Sequence, residues 1–486
     1  MSKILCVYDD SREPSHEFKN IVGDKAFGEI ILKRKKLCHI FLERILKHDF
    51  ILSIIKLANE IDKSILIDKI NALSEDVPII HIFSNFAIND YEQFDILLQK
   101  AEFINYNVVV MSPSPAVLMF ANSKEYIRYL KIANSLLVND IFDNVNFEKI
   151  KSNIFTDISI QKNFLHYISS GFDARFFNSL QGNEYIVTKS SNKKNKIKCE
   201  YTYYHLLPED MKMWFVRPFN YNENDDIASY SMERYNIADL AIRWVHSAVS
   251  IKEFEDLLEK IFYFISIRSV KQESKEDYNK IAKELYLEKV DQRINQLKSN
   301  NKYLILNNYI NSGTGYTTID DIIDNYKKIY DELTSKKSFE HKSVIGHGDL
   351  CFSNMLYNRE TSILRLIDPK GAMVEKDLWT NPYYDIAKLS HSICGNYDFF
   401  NSGSYDLSLK GNLKFQLKFE HDNHEYIEIF KKILEENKFD YDLVRLYEAS
   451  LFLSMLPLHM DNPHKVLGFL LNAIQILEEV KLCLKR

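Results

Sequence analysis

Residues 345–371 read IGHGDLCFSNMLYNRETSILRLIDPKG, and this stretch is the strongest indication of the fold and chemistry of the second half of the chain. Its polar side chains follow a fixed order: Asp349, then Asn354, then Asp368 at the end of an apolar run. Two glycines flank His347, so the backbone can turn sharply just before Asp349. A carboxylate at a turn, followed by an amide and a second carboxylate, is typical of a site for a metal ion and an oxygen nucleophile.

These residue types suit the transfer of a phosphoryl group. That reaction requires an in-line nucleophile and neutralised charge on the phosphate oxygens, with little covalent help from the protein. Asp349 is our candidate base, because a carboxylate beside a hydroxyl can orient it and take its proton. Asn354 and Asp368 are our candidate ligands for Mg²⁺, which prefers hard oxygen donors and keeps several waters. The segment therefore predicts phosphoryl transfer from Mg²⁺-bound ATP or GTP.

The local pattern predicts that Asp368 returns to the side of Asn354. Three short β-rich runs surround the polar residues: 343–345, 355–357 and 363–367. Residues 358–361 form a polar turn between the last two runs. A hairpin over those runs would bring the two candidate metal ligands together.

The motif H-G-D-x-x-x-x-N, followed by a strand-terminal I-D-P, resembles the catalytic and metal-binding segments of the aminoglycoside phosphotransferase and choline kinase family. The family consists of small-molecule kinases with a protein-kinase-like, bilobal α+β fold. The resemblance implies that the loop motif carries over as His347, Asp349 and Asn354, with Asp349 as the base, and that Asn354 and Asp368 are metal ligands. We assign His347 to structural support of the loop. A further match, D-I-A-K-L at residues 385–389, implies that Asp385 braces the catalytic loop. Pro369 stands where protein kinases have phenylalanine, which favours the small-molecule branch.

A kinase-like domain also needs an upstream lobe, in which a strand lysine on the phosphates pairs with a helical glutamate. Residues 184–189 form a β-rich run, and residues 199–207 have a helical pattern that ends before a proline. We therefore assign Lys189 as the phosphate-binding lysine and Glu200 as its partner. An ordinary strand lysine and a solvated helix glutamate are the alternative. The basic loop at residues 193–198 also offers other lysines for the first role: Lys194, Lys196 and Lys198.

Two further assignments complete the expected nucleotide site. Gly182 lies in the turn before the lysine strand, where backbone N–H groups can contact phosphate. The next two strands are predicted at residues 213–218 and 226–232. Residues 231–235, which include Met232, form the hinge expected to meet the adenine ring.

The chain beyond the hinge is predicted to be mostly helical. Apolar residues recur at helical spacing through residues 254–337 and 443–482, the second stretch being broken at Pro457. The family resemblance places the acceptor site among residues 255–340 and 375–470. Four aromatic side chains are candidate walls of that site, with plain core packing as the alternative for each: Trp379, Tyr383, Tyr384 and Tyr397.

Residues 1–150 form a separate α/β domain, because strands alternate with helices there. Strands are predicted at residues 3–8, 77–83 and 107–111, and helices at residues 91–103 and 116–137. The layout loosely resembles sugar-nucleotide-handling domains of nucleotidyltransferases and glycosyltransferases, but no glycine-rich loop follows the first strand. Asp9 and Asp10 either bind a metal or cap a turn, and we favour the turn. A degenerate domain for assembly or substrate delivery and a second active site both stay open.

Composition narrows the class of protein. A net charge of −6 leaves no electrostatic footprint for nucleic acid. The 486 residues suffice for an α/β domain at 1–150, a kinase-like N-lobe at 155–235 and a helical lobe at 236–486. Six scattered cysteines without C-x-x-C, together with the lack of a signal peptide or apolar span, predict a cytoplasmic protein. Abundant Lys, Ile and Asn suggest a bacterial source.

The acceptor cannot be identified from these motifs. The I-D-P-K-G and Y-Y-D-I-A-K-L segments, behind an α/β domain, resemble proteins of bacterial capsule or surface-polysaccharide assembly. That favours a sugar or an amino-alcohol as the acceptor, in a homo-oligomer or a biosynthetic complex. The alternatives are a catalytically idle nucleotide-binding scaffold, an antibiotic phosphotransferase and, less favoured, a protein kinase.

Overall fold

The computed structural model describes residues 3–58, 60–73, 76–133, 146–168, 178–183 and 185–485. The chain divides into two compact units, Met1–Phe172 and Asp173–Arg486. This boundary lies beyond the predicted one near residue 150, because the strand Phe155–Asp157 pairs with another strand of the first unit. The helix Gln161–Ile168 contacts that strand. Residues up to 168 therefore belong to the α/β unit and not to the kinase-like lobe.

The strands of the first unit are β1 Ile4–Asp9, β2 Ile31–Leu32, β3 Lys35–Lys36, β4 Ile51–Leu57, β5 Ile79–Phe83, β6 Phe86–Ile88, β7 Asn107–Ser112, β8 Ser114–Phe120, β9 Phe147–Lys151 and β10 Phe155–Asp157. One mixed sheet has the order β4-β1-β5-β8-β7-β9. Strand β1 is parallel to β4 and β5, and β9 is parallel to β7, whereas β8 is antiparallel to both its neighbours. Every residue of β1 is buried, as its apolar run predicts for a central strand.

The described helices of this unit are His16–Val22, Leu37–Ile45, Glu60–Asn71, Tyr91–Lys100, Ser123–Ala133 and Gln161–Ile168. The predicted helix over residues 116–137 is wrong in its first part, where β8 continues to Phe120. Residues 134–137 of that prediction lie outside the described ranges. A short apolar run does not reveal its own period. Pairing with β5 and β7 decides that this run is a strand.

The second unit begins with the antiparallel sheet and helix predicted for a nucleotide lobe. Its strands are β11 Asn178–Gly182, β12 Ile186–Ser191, β13 Pro218–Glu223 and β14 Ala228–Glu233, in the order β11-β12-β14-β13. The helix Lys194–Leu206 packs on this sheet, with Ile197 against Ala228 and Tyr230.

The prediction of a basic loop at residues 193–198 is wrong. The lysines lie in the first turns of the helix Lys194–Leu206. Ile197, Glu200 and Tyr203 form its buried face at a spacing of three residues, and lysine is a good helix former. The charged side chains therefore do not interrupt the helix.

The strand predicted at residues 213–218 is also wrong, since β13 begins only at Pro218. The amide of Leu366 donates to the carbonyl of Trp214 at 2.7 Å, and the amide of Val216 donates to the carbonyl of Leu366 at 3.1 Å. Residues 214–216 thus connect to the segment that carries Asp368, and not to the sheet that contains β13.

Short strands precede, lie within and follow residues 345–371: β15 Val270–Gln272, β16 Lys342–Ile345, β17 Met355–Asn358, β18 Ile363–Leu366 and β19 Trp379–Thr380. Strand β16 pairs antiparallel with β15 on one side and β19 on the other. Strands β17 and β18 form the predicted hairpin, in which Met355 pairs with Leu366. The chain therefore runs from β16 through the catalytic loop into a hairpin that ends beside the loop.

The remaining lobe is helical, which completes the predicted bilobal kinase-like architecture. Its helices are Glu209–Lys212, Leu240–Val245, Ile251–Ile267, Lys275–Lys283, Lys289–Lys298, Tyr303–Gly313, Ile319–Ser335, Tyr383–Ile393, Tyr397–Ser402, His424–Glu436, Tyr441–Met455 and Pro463–Leu484. A small hairpin, β20 Asp406–Leu409 with β21 Phe415–Lys418, lies among them. The predicted break at Pro457 is confirmed, because the chain leaves one helix at Met455 and enters the next at Pro463.

No helix in the described ranges is both long enough and apolar enough to cross a membrane. The six cysteines are free thiols.

Leu446 tests the core of the helical lobe. Its side chain is fully buried in the cluster formed by the last helices. We expect Leu446→Ala to lower the free energy of unfolding by about 2–5 kcal/mol, through lost transfer energy and a residual cavity. Urea unfolding followed by circular dichroism measures this loss. Leu482, 62% exposed, is the matched control, and its alanine variant should shift the value by less than about 0.5 kcal/mol. Equal losses would contradict the assigned core.

Candidate active site

One buried carboxylate, Asp385, holds the backbone of the catalytic loop. Its oxygens accept hydrogen bonds from the amides of His347 at 2.9 Å and Gly348 at 2.8 Å. The guanidinium of Arg268 donates to the same carboxylate at 3.1 Å. The side chains of Arg268 and Asp385 are almost wholly buried. Because a buried charge without a partner is costly, each of these charges needs the other. Asp385 therefore positions the turn that leads directly into Asp349.

His347 joins the loop to the second strand of the hairpin. Its Nε2 lies 3.0 Å from the carbonyl oxygen of Ile367, and its Nδ1 accepts a hydrogen bond from the amide of Asp349 at 3.2 Å. Burial lowers the pKa of the imidazole, which is therefore neutral near pH 7. With Nδ1 as acceptor, Nε2 carries the proton and donates to Ile367. The contacts of His347 are those of a residue that supports the loop.

Gly348 permits the sharp turn before Asp349. Its φ of +78° lies in the left-handed region, which a side chain disfavours. A Cβ atom there would also lie 2.5 Å from Cβ of Lys370, whose side chain runs over the glycine. The turn thus requires glycine for its conformation and for the close approach of Lys370.

Two polar neighbours hold the carboxylate of Asp349. The amide nitrogen of Asn354 donates to Oδ2 of Asp349 at 3.1 Å and to its carbonyl oxygen at 2.8 Å. The ammonium of Lys388 lies 2.8 Å from Oδ1. Burial acts to raise the pKa of Asp349, but Lys388 and the hydrogen bonds outweigh it and lower the pKa to about 2. The side chain remains 42% exposed, so an acceptor can reach an ionised carboxylate.

Lys189 lies between two carboxylates from different parts of the unit. Its ammonium is 2.8 Å from Oε2 of Glu200 and 2.8 Å from Oδ1 of Asp368. The side chains of Lys189 and Glu200 are buried, and Tyr230 donates a hydrogen bond to Glu200 at 3.1 Å. Burial alone would lower the pKa of Lys189, but the two carboxylates raise it. The nucleotide lobe and the catalytic hairpin therefore share one buried ammonium.

The donor set fits a magnesium ion with phosphate ligands. Asn354 uses its amide nitrogen on Asp349, which leaves the amide oxygen to face another partner. Asp368 gives one oxygen to Lys189, so its second oxygen can act as a ligand. Among the described residues, no three His, Cys, Asp or Glu side chains cluster as a protein cage. Mg²⁺ needs no such cage when phosphates and waters complete its shell.

The other lysines considered for the phosphate role lie further out. Lys194 pairs with Glu223 at 3.5 Å, and Lys198 is exposed. Lys196, 47% exposed, pairs with Oε1 of Glu200 at 3.4 Å, whereas Lys189 contacts Oε2. Only Lys189 is both buried and paired with two acids.

The residues predicted to contact the nucleotide by backbone lie on the sheet of the nucleotide lobe. Gly182 ends β11 opposite Val187, where a Cβ atom would lie 2.1 Å from the carbonyl oxygen of Ile186. Glycine is therefore required for the tight approach of β11 to β12. Met232, on β14, lies opposite Val187 on one side and Pro218 on the other.

The aromatic side chains considered as acceptor walls pack mainly within the helical lobe. Tyr383 contacts the rings of Phe439 and Tyr447, and Tyr397 stacks on His391 at 4.2 Å. Tyr384 is nearly buried, with its hydroxyl 2.7 Å from the ammonium of Lys289. The half-buried Trp379 lies on β19.

In the first unit, the two acidic residues after β1 engage the protein itself. Asp9 accepts hydrogen bonds from the amide and hydroxyl of Ser11, at 3.0 and 2.6 Å, so its predicted turn-capping role is confirmed. Asp10 accepts from the amide of Gly28 at 2.8 Å and pairs with Lys56 at 3.1 Å. These contacts stabilise loops of the unit.

Sequence reasoning missed three residues at the site. Lys388 lies three residues after Asp385 on one helix, and that spacing was a usable signal for a neighbouring side chain. Arg268 follows the end of a distant helix, and Lys289 starts another. No local pattern connects either of them to residues 345–371.

Comparison with known proteins returned solved structures only: no family model and no curated protein matches. The aminoglycoside phosphotransferase APH(4)-Ia, in a ternary complex with ADP and hygromycin B, is 10% identical, with a TM-score of 0.34, and covers 66% of this chain and 98% of its own. An ethanolamine kinase from Plasmodium vivax is 10% identical, with a TM-score of 0.33, over 70% and 92%. The streptomycin–ATP complex of APH(2")-IIa is 15% identical, with a TM-score of 0.32, over 64% and 95%. Likeness of this size says nothing about what this chain binds.

Removing the carboxylate of Asp385 tests its bracing of the loop. Asp385→Ala leaves the buried Arg268 unpaired and two loop amides without their acceptor. We expect the free energy of unfolding to fall by about 3–5 kcal/mol. Urea unfolding measures the change, with Asp225→Ala at an exposed turn as the matched control. A similar small change in both variants would contradict the brace.

Proposed function

We propose that residues 178–485 form a small-molecule kinase that transfers the γ-phosphoryl group of ATP or GTP to a hydroxyl of a sugar or amino-alcohol. Lys189 carries this proposal. Its buried ammonium pairs with Glu200 of the nucleotide lobe and with Asp368 of the catalytic hairpin. A lysine held in this way suits phosphate oxygens next to a metal-binding carboxylate.

The reaction follows from the contacts of the loop. Asp368 and Asn354 would hold Mg²⁺, which when bound neutralises charge on the phosphate oxygens. Lys189 would bind the nucleotide phosphates. Asp349 would accept a hydrogen bond from the acceptor hydroxyl and orient its oxygen toward the γ-phosphorus. That oxygen forms a new bond to phosphorus, the bond to the β-phosphate oxygen breaks, ADP or GDP leaves, and the hydroxyl proton passes to Asp349.

Orientation is the larger contribution expected of Asp349. Lys388 and Asn354 contact its two oxygens from different sides, so the carboxylate has little freedom to turn. A loose phosphoryl-transfer transition state asks little of a base and much of positioning. A rigid carboxylate suits that requirement.

We further propose that the enzyme acts in bacterial capsule or surface-polysaccharide biosynthesis, with the first unit serving assembly or substrate delivery. The support is the order of the chain, in which an α/β unit precedes the kinase-like unit. The engagement of Asp9 and Asp10 in loop contacts favours these roles over a second active site.

A catalytically idle nucleotide-binding scaffold is the second candidate. It is favoured by one contact, the pairing of Asp349 with Lys388, which occupies an oxygen of the candidate base. The retained Asn354 and Asp368 favour the kinase.

The decisive variant is Asp349→Ala. We expect it to lower acceptor-stimulated release of ADP or GDP by about 10²–10⁴-fold, because the hydroxyl loses its orienting carboxylate. Wild type and variant are compared with Mg²⁺ across sugars, sugar phosphates and amino-alcohols, and Asp225→Ala serves as the control. Nucleotide affinity, measured by calorimetry, should change little. Unchanged turnover in Asp349→Ala would reject the kinase, and tight nucleotide binding with no stimulated turnover in wild type would support the scaffold.

Asp368→Ala tests the metal site separately. We expect nucleotide to bind the variant with the same affinity with and without Mg²⁺, since the carboxylate that would hold the ion is gone. Calorimetry with ATP in magnesium or in chelator measures this, and wild type should bind more tightly in magnesium. An undiminished magnesium effect in the variant would contradict the assignment.

A further inference from the structure

Three lysines lie beside the candidate base or beside its neighbours Gly348 and Tyr384. The ammonium of Lys388 contacts Oδ1 of Asp349 at 2.8 Å. The ammonium of Lys289 contacts the hydroxyl of Tyr384 at 2.7 Å. The side chain of Lys370 runs over Gly348, next to the base in the chain.

One helix brings two of these cations together. Tyr384 and Lys388 are four residues apart in the helix Tyr383–Ile393, so their side chains are neighbours on one face. Lys289 is the first residue of a different helix, Lys289–Lys298, and its ammonium contacts the hydroxyl of Tyr384. Lys289 and Lys388 therefore both act electrostatically on the phenol of Tyr384.

The charges of this group do not cancel. Asp349 is the carboxylate in contact with Lys388, and no carboxylate among the described residues forms a salt bridge with Lys289 or Lys370. Burial would raise the pKa of Tyr384, yet Lys289 and Lys388 lower it below its ordinary value. The side chain of Lys388 keeps 14% of its surface exposed, and Lys289 is half-buried. The ammonium groups of Lys289 and Lys388 therefore accompany one carboxylate, that of Asp349, in this group of side chains.

The ammonium groups of Lys289 and Lys388 bear on which acceptors can bind beside Asp349. A hydroxyl oriented by Asp349 must lie near Oδ1 or Oδ2, and the ammonium of Lys388 is 2.8 Å from Oδ1. The ammonium group of an amino-alcohol would be repelled by the ammonium groups of Lys388 and Lys289. An anionic group would be attracted by both and could accept hydrogen bonds from them.

We propose, resting on the kinase function above, that the acceptor is an anionic hydroxyl compound whose phosphate or carboxylate is bound by Lys388 and Lys289. This narrows the acceptor to acidic or phosphorylated sugars and sets aside the amino-alcohols.

A charge series on one sugar ring tests the proposal on the full-length protein. Glucose, glucosamine, glucuronate and glucose 6-phosphate are titrated by calorimetry into protein loaded with Mg²⁺ and AMP-PNP, so that binding is read without turnover. The same four compounds are then compared as acceptors by ADP release. We expect at least one anion to bind about tenfold or more tightly than glucose, and glucosamine to bind more weakly than glucose. The better anion distinguishes a carboxylate site from a phosphate site.

Variants of Lys289 test whether this side chain causes the expected preference for an anionic compound. Lys289→Gln should lower the preference for the anion about fivefold or more and raise KM for it more than it lowers kcat, whereas Lys289→Arg should keep the preference. Lys280→Gln, at an exposed position on the preceding helix, removes an equal charge and should change neither value. Thermal melting by circular dichroism checks that each variant folds.

The outcomes separate this proposal from the kinase function. Equal affinity for the four compounds, preference for glucosamine, binding of none, or an anion preference that Lys289→Gln leaves intact would each overturn the anionic acceptor. If an anion binds as expected but no phosphoryl group reaches any hydroxyl compound, the kinase function fails while the anion site stands.

Discussion

The backbone conformation of the loop that carries His347 and Asp349 depends on the buried carboxylate of Asp385. An uncompensated charge in that position would cost several kcal/mol, so the carboxylate draws both the loop amides and the guanidinium of Arg268 to itself. The loop held in this way presents Asp349 and orients His347. Since His347 bonds to Ile367, the residue before Asp368, one carboxylate fixes the path of the chain on both sides of the site.

A second charge, on Lys189, connects the lobes. Glu200 belongs to the helix of the nucleotide lobe, and Asp368 follows the catalytic hairpin, so the ammonium between them ties the two parts electrostatically. Backbone hydrogen bonds between Leu366 and the chain before β13 reinforce the connection. Phosphate oxygens arriving at Lys189 would compete with the carboxylate of Asp368 and release it toward a metal ion. Lys189 and Asp368 can thus pair with each other when no nucleotide is bound, and with phosphate and a metal ion when it is.

The helix Tyr383–Ile393 carries both the carboxylate that supports the loop and side chains in contact with the ammonium group of Lys289 or with Asp349. Asp385 accepts hydrogen bonds from the loop, Lys388 contacts Asp349, and Tyr384 contacts Lys289. Helical spacing puts these side chains on adjacent faces within little more than one turn. The position of the loop and the positions of these charged side chains therefore depend on one helix.

The sequence by itself determined the catalytic hairpin, the strand lysine and helix glutamate, and the helical second lobe, because these follow from local spacing and neighbouring residues. It misread β8 as helix and the start of the helix Lys194–Leu206 as loop, since an apolar or charged run alone does not report its pairing or its buried face. Only the tertiary structure decided that Arg268 meets Asp385 and that Lys289 meets Tyr384, across 117 and 95 residues. Such contacts depend on which helices pack together, and burial of the whole lobe, not any local pattern, determines that packing.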